Sequence, residues 1–472
     1  MKPSELVIGA VLALGLNACT SLDTAPAEPA VTPDAAALDV QPAEPGLETT
    51  VYAGDFVEIQ QFVTPGGVSV WLVSEPSIPI LSVAMAWEGG SAADPDGLEG
   101  LADAVVYHMN EGAGELDSLA YQTRMEELNM SFGCSASDDW TSCSASMLTD
   151  NAADAMDLVA LSFESPRFDD GPFARFVRER EVSLNTRETN ARYLANRAEA
   201  QALYPDHPYA RETSAESIAA LTPDLARDHM RQLMVKDRLI VTAVGAVTPE
   251  ELAPMIDKVA ANLPDSSDLP EIPEISFTTD DTFDPIIVDL PQPQSLVNFV
   301  APGLKREDPD FFSAYVLNYT FGGGGFGSRL MDTLRVEKGL TYGVYTWLTF
   351  SDNIQTWSGS GQTKNESAGE FIEALMAETA KIGEVGITEE ELADAKAYLT
   401  GSYPLAFDSN AKIAGQMMTV RQEELGIDYF DRRNTLIDAV TLEDVNRVAA
   451  EFLQPENFSV IVVGQPQGVD TE

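Results

Sequence analysis

Two apolar runs in the chain nearly match: Val241-Thr-Ala-Val-Gly-Ala-Val-Thr248 and Ser459-Val-Ile-Val-Val-Gly464. They stand roughly two hundred residues apart, which is the mark of an internal repeat. The first run, from Leu239, reads as a buried strand and the second as a closing strand. With 472 residues there is length for two such halves, each with its own core. Each half mixes strand pairs with helices segregated to one face, so the expected class is α+β.

In the first half, Gln61–Val63 leads through the Pro65-Gly66-Gly67 turn into a strand over Val68–Val73. Ile80–Trp87 is a further strand and Met130–Met147 reads as a hairpin with a polar tip. Helices are expected over Leu98–Gly112, Asn151–Phe163, Phe173–Leu194 as one long element, and Leu221–Met234. Thr248 followed by Glu251 is a capping box for the next one. Leu263–Ile275 holds three prolines and four acidic residues and marks a boundary. Beyond it, strands are expected over Ile286–Leu290, Ser295–Ala301, Leu340–Gly361 and Phe458–Val463. Helices are expected over Asp308–Phe321, Ser328–Val336, Ala368–Ile382, Thr388–Gly401 and Leu442–Phe452.

Charge excludes some partners. There are 76 acidic against 28 basic residues, a net charge of −48, which repels nucleic acid and anionic lipid headgroups. An acidic surface is usually just a solvated one, and attraction of basic peptides is the sharper alternative.

At the N-terminus, Lys2 precedes an apolar run from Leu6 to Leu16, too short to span a bilayer. Leu16-Asn17-Ala18-Cys19 resembles a bacterial lipobox, so residues 1–18 are expected to be a lipoprotein signal and Cys19 the lipidated residue. Thr20, rather than Asp, follows it and points to the outer membrane, facing the periplasm. Residues 19–50, rich in Pro, Ala and acids, read as a disordered tether that holds the body on the order of 30 Å from the membrane. The halves are then 51–262 and 281–472, joined by a linker over 263–280. Cys134 and Cys143 flank Asp138-Asp139 symmetrically, so a periplasmic disulfide and two small buried residues are both open.

The helix of Gly97-Leu-Glu-Gly-Leu-Ala-Asp-Ala-Val-Val-Tyr-His-Met-Asn-Glu-Gly112, with its glycine-rich approach, resembles the first helix of the M16 (insulinase-type) metallopeptidases, which include the mitochondrial processing peptidase. Asp206-His-Pro-Tyr209, the strand ending at Gly245 and the stretch Gly322–Tyr345 extend the resemblance over about residues 50–465. It implies two similar α/β sandwich halves joined by a linker. Active members carry His-x-x-Glu-His on this helix, two His for zinc and a Glu that activates water. Here those positions are Asp103, Val106 and Tyr107, and none is the required residue. The third ligand, a Glu on the later long helix, meets Val182-Ser-Leu-Asn-Thr-Arg187, with Glu181 and Glu188 to either side. The chain's histidines are His108, His207 and His229, and no two make an i, i+4 clamp. His108 with Glu111, and Asp103 a turn and a half earlier, is the one remaining candidate for a weak metal site, against an ordinary pair near a helix end.

Gly322-Gly-Gly-Gly-Phe-Gly-Ser-Arg329 lacks the Lys-Ser/Thr of a phosphate cradle and the strand–turn–helix setting of a dinucleotide site. It reads as a flexible loop making a close approach. In the family such a loop lies at the inner chamber, which makes Gly323, Gly324, Gly325 and Phe326 candidate substrate contacts. Arg335 and Tyr342 can be an ion pair with Asp332 and a core-edge ring. The resemblance implies instead the Arg/Tyr pair that donates hydrogen bonds to the substrate near the transition-state oxygen. The metal half is lost and the substrate half kept. The expectation is therefore a chain inactive alone, holding no metal, that pairs with a separate zinc-bearing His-x-x-Glu-His chain to form a peptide-degrading chamber. A non-enzymatic scaffold of the cell envelope is the rival from another class, and a self-sufficient metallopeptidase a third reading.

Overall fold

Leu239–Gly245 and Ser459–Gly464 are each an interior strand, paired on both sides, of one of two sheets. The computed structural model describes residues 47–54 and 56–469. The signal, Cys19 and all of the tether up to residue 46 lie outside the described residues. The first half has β1 (Thr49–Ala53), β2 (Glu58–Val63), β3 (Ser69–Ser74), β4 (Ile80–Glu88), β5 (Met130–Ala136), β6 (Trp140–Leu148) and β7 (Leu239–Gly245). They pair in the order β1-β2-β3-β7-β4-β6-β5. The second half has β8 (Ile286–Asp289), β9 (Gln294–Pro302), β10 (Thr341–Phe350), β11 (Gln355–Lys364) and β12 (Ser459–Gly464), in the order β10-β11-β9-β12-β8. β7 runs parallel to β3 and antiparallel to β4, and β12 runs parallel to β8 and antiparallel to β9. The repeated sequence is thus a repeated topology. β1 begins at Thr49, inside the span expected to be tether.

Helices of the first half are α1 (Leu101–His108), α2 (Ser118–Glu127), α3 (Ala152–Glu164), α4 (Asp170–Arg187), α5 (Ala191–Leu203), α6 (Ala215–Ala220), α7 (Pro223–Leu233) and α8 (Pro249–Ala260). Those of the second are α9 (Phe311–Asn318), α10 (Ala368–Val385), α11 (Glu389–Gly401), α12 (Asn410–Gln422), α13 (Tyr429–Ala439) and α14 (Leu442–Phe452). The expected capping box at Thr248 and Glu251 is present on α8. The single helix expected over Phe173–Leu194 is two, because Asn190 leaves helical geometry and its side chain accepts the N–H groups of Arg192 and Tyr193. The first helix is also shorter than expected. It ends at His108 and the chain turns tightly to Gly112, whose φ is +119°.

One face of each sheet packs on its own half's helices, and the other takes a helix from the opposite half. From α12, Ala414, Met417 and Val420 pack on Ile59, Trp71, Val73 and Val244 of the first sheet. From α5, Leu194 and Ala195 pack on Leu296, Val300, Ile461 and Val463 of the second. This exchange explains why the central strands read as continuous apolar runs: both of their faces are covered. Arg421 of α12 fastens the first contact, donating to the carbonyls of Ser69 and Val241 and to Ser69 Oγ. Burial pushes its guanidinium down to about 10, still charged at neutral pH.

The halves also meet at their hairpin tips. Trp140 Nε1 donates to Asp352 (3.2 Å), and Asn353 Nδ2 donates to Tyr209 Oη (3.0 Å), whose hydroxyl donates to Asp139. The linker lies across the same place, with Ile275 N–H on the Asn353 carbonyl (2.7 Å) and His207 Nε2 on the Pro273 carbonyl (2.8 Å). Behind the first tip, Cys134 and Cys143 stand directly opposite on β5 and β6 and are bonded as a disulfide.

Candidate functional site

The N-terminus of α1 is set by Asp94, which is buried and accepts the N–H groups of Gly100, Leu101 and Ala102 at 2.8 to 3.0 Å. A carboxylate there satisfies three donors that the helix itself cannot. His229 from α7 stands 3.1 Å behind it. The helix so positioned presents Asp103, Val106 and Tyr107 toward α4.

None of the three is available to a metal. Asp103 is paired with Arg180 at 3.4 Å, and burial pushes its carboxyl pKa up against the opposing pull of the Arg180 charge. Val106 is buried and has no donor atom. Tyr107 Oη accepts from Arg175 Nε at 3.0 Å and lies beside the Glu179 carboxylate, while burial raises its pKa further. Arg175 continues to Glu111 at 2.5 Å, and Glu111 in turn accepts from Ser118 Oγ. Two guanidiniums from α4 therefore stand against α1, and their charge opposes a dication. These donors do not fit a zinc ion. Among the described residues, no group of three His, Cys, Asp or Glu side chains could hold a metal.

The His108–Glu111 alternative is corrected by geometry. The His108 ring is fully buried among Tyr107, Phe168, Phe173 and Phe176, with Nδ1 2.6 Å from the Ala104 carbonyl, and burial lowers its pKa. Glu111 points to Arg175 instead. Of the acids that flank the expected third-ligand position, Glu188 is held by Arg197 and Glu181 is exposed. Sequence reasoning missed Arg175, Glu179 and Arg180. The i, i+4 spacing of Arg175 and Glu179 on α4 was a signal, but only the fold shows which helix they meet.

The second site lies around β10. Helix α9 does not stop before the glycines. It widens into a π-helical turn over Tyr319–Gly323, and a short turn over Gly325–Gly327 follows. Glycine is required by contact: a Cβ on Gly322 would stand 2.6 Å from Thr346 Oγ1, and one on Gly324 2.6 Å from the Tyr319 carbonyl. The loop expected from the sequence is therefore shorter, and Gly323 belongs to the packed turn. Gly325, with φ +59°, turns the chain so that Phe326 projects outward, 70% exposed.

Arg335, on the π-helical segment Met331–Glu337, lies over the Phe326 ring at 4.3 Å. Among the described residues it has no carboxylate partner, so the Asp332 pairing does not form. Tyr342 is 86% exposed, which rules out the core-edge reading. Its position comes from a bulge: the β10–β11 register shifts between Thr341 and Val344. Thr341 Oγ1 holds that bulge by donating toward the Gln362 and Gly343 carbonyls. A guanidinium and a phenol, neither committed to a protein acceptor, are thus displayed beside an exposed aromatic ring.

Residues 69–216 match the family model described as Insulinase (Peptidase family M16), and residues 220–399 the one described as Peptidase M16 inactive domain. A Helicobacter pylori protein named non-peptidase homolog YmxG is 26% identical over 75% of this chain and 84% of its own. The beta subunit of the mitochondrial-processing peptidase of Lentinula edodes is 21% identical over 89% of this chain and 92% of that one. The crystal structure of a peptidase M16 inactive domain from Pseudomonas fluorescens superposes with a TM-score of 0.79 at 26% identity, covering 88% of this chain and 99% of that one.

Proposed function

The chain belongs to the M16 family of insulinase-type peptidases, and from this we propose that it is an inactive member that serves as the substrate-holding partner of a zinc-bearing M16 chain. The observation that carries the reading is the contrast between its two sites. The zinc positions on α1 are occupied by Asp103–Arg180 and Tyr107–Arg175 contacts, while Arg335 and Tyr342 are left without protein acceptors. Free donors aimed outward suit an acceptor supplied from outside, such as a peptide carbonyl and the oxyanion it becomes. The partner chain would supply zinc and the base; this chain would bind and orient the peptide with Arg335, Tyr342 and the Gly325–Phe326 turn. A relative that is itself a named subunit of a processing peptidase supports the two-chain arrangement. By the same reading the pair is held in the bacterial cell envelope, at the outer membrane, by lipid on Cys19.

The test is reconstitution with the zinc-bearing chain and a quenched fluorescent peptide. This chain alone should not cleave the peptide, and the pair should. Arg335→Ala or Tyr342→Phe should then lower kcat/KM of the pair by roughly a hundredfold, the scale for losing one oxyanion donor. Unchanged activity in both variants would remove the assigned roles and leave the scaffold reading.

A further inference from the structure

A cavity of about 480 Å3 lies on the part of the second sheet's inner face that α5 leaves open. Its floor runs across three neighbouring strands: Tyr345 and Trp347 on β10, Ser360 on β11 and Asn298 on β9. The alternate residues of these strands face the helix-covered core, so the floor is one continuous side of the sheet. Arg192 of α5 stands at the far wall and Tyr342 at the open edge.

The cavity departs from the charge of the rest of the molecule. In a chain with 76 acidic and 28 basic residues, no Asp or Glu lines it. The Arg192 guanidinium is exposed and, among the described residues, has neither an ion pair nor a hydrogen bond. Asn298 adds a second donor. Its Oδ1 accepts from Ser360 Oγ at 2.8 Å, which leaves the amide N–H groups to donate elsewhere. Two free donors, no local anion and two half-exposed aromatic rings favour a carboxylate joined to an apolar group.

Shape narrows the choice. The floor from β10 to β9 is roughly 10 Å wide, at about 4.8 Å per strand. Beyond β9 the way is closed, because Leu194 and Ala195 of α5 are packed on Leu296 and Val300. An extended peptide that enters over the β10 edge reaches this wall after about three residues at ~3.3 Å each. A chain that cannot run on has to end.

We propose that this cavity captures the C-terminal carboxylate of a peptide, with Arg192 and Asn298 as donors and Tyr345 and Trp347 against an apolar or aromatic last side chain. The inference rests on the peptide-binding reading above and names the part of the peptide that this chain recognises. Arg192 is a binding residue in it and has no part in bond cleavage.

Calorimetry on the full-length chain in detergent tests it with three probes: N-acetyl-Ala-Ala-Phe as the free acid, the same peptide as its C-terminal amide, and N-acetyl-Ala-Asp-Phe amide. The free acid should bind at least about tenfold more tightly than either amide, the scale of one charge-assisted hydrogen bond. Arg192→Gln should abolish that preference and Arg192→Lys should retain part of it. Equal binding of acid and amide, no binding of any probe, or a preference that survives Arg192→Gln overturns the proposal. An Asp-containing amide that binds as well as the free acid overturns the chain-end assignment in favour of an internal acidic residue. If the preference is missing while Arg335→Ala still lowers the activity of the reconstituted pair, this inference fails alone. If the preference holds while Arg335→Ala is without effect, the catalytic partnership fails instead.

Discussion

Consider the triple substitution Asp103→His, Val106→Glu and Tyr107→His, which writes the family's zinc motif back onto α1. Motif residues alone should not restore the metal, because α4 still presents its guanidiniums. Arg175 Nε is 3.0 Å from the Tyr107 hydroxyl, and a zinc ligand bond adds about 2 Å, so the two cationic centres would sit roughly 5 Å apart. A dication and a monocation at that distance repel by about 7 kcal/mol at an effective dielectric constant near 20. That is a ceiling of roughly five decades in affinity. The Arg175 side chain is 40% exposed and can swing outward, so about two to three decades should survive. The assay is zinc competition against a chromophoric chelator at pH 7.5, with and without a fourth substitution, Arg175→Gln. The fourfold variant should bind zinc at least about a hundredfold more tightly than the triple one. Equal affinities would refute the argument that α4 excludes the metal by charge.

Other consequences follow from the contacts between the halves. Burial, and then the Asp139 carboxylate, push Asp352 up to about 6. A raised carboxyl pKa means that the folded chain holds a proton the unfolded chain has already lost, so this stabilisation is full below about pH 4 and is lost as pH rises through about 6. Asp352→Asn should therefore stabilise the body by about 1 kcal/mol at pH 7.5, after allowance for the exposed side chain, and by less at pH 5. Denaturant curves showing the same gain at both pH values would contradict this. Met417→Ala, which empties part of the buried contact between α12 and the first sheet, should cost about 2–5 kcal/mol in the same measurement, and a cost below about 1 would mean that the exchanged helix is not a structural tie. Cys19→Ala should move the chain from the membrane fraction to the soluble one; retention in the membrane would exclude the lipid anchor.

Much of the fold was legible because burial on two faces leaves a plain trace. Leu239–Gly245 and Ser459–Gly464 are apolar at most successive positions, and both are interior strands. What covers their inner faces was not legible. The buried side of α12 is built from Asn410, Ala414, Met417, Met418 and Val420, and with a polar and a small residue among them it shows no plain apolar stripe. The break at Glu188–Asn190 was hidden because no proline or glycine marks it, and the cap acts through one Asn side chain. At the sites, loss of the zinc motif could be read from Asp103, Val106 and Tyr107 alone. Its physical replacement could not, since Arg175 meets Tyr107 across 68 positions of sequence through a helix-to-helix contact. Neither periodicity nor composition puts Arg192 and Asn298 on the lining of one cavity, because only the exchange of α5 brings the first half to the second sheet.

The most direct test of the central claim is the zinc content of the purified body lacking residues 1–19, after incubation with zinc and desalting. The contacts on α1 predict that no stoichiometric zinc remains, while a zinc-bearing partner chain carried through the same steps keeps its metal. One tightly held zinc per chain would contradict the account, because it would require a metal site that Arg175 and Arg180 do not exclude.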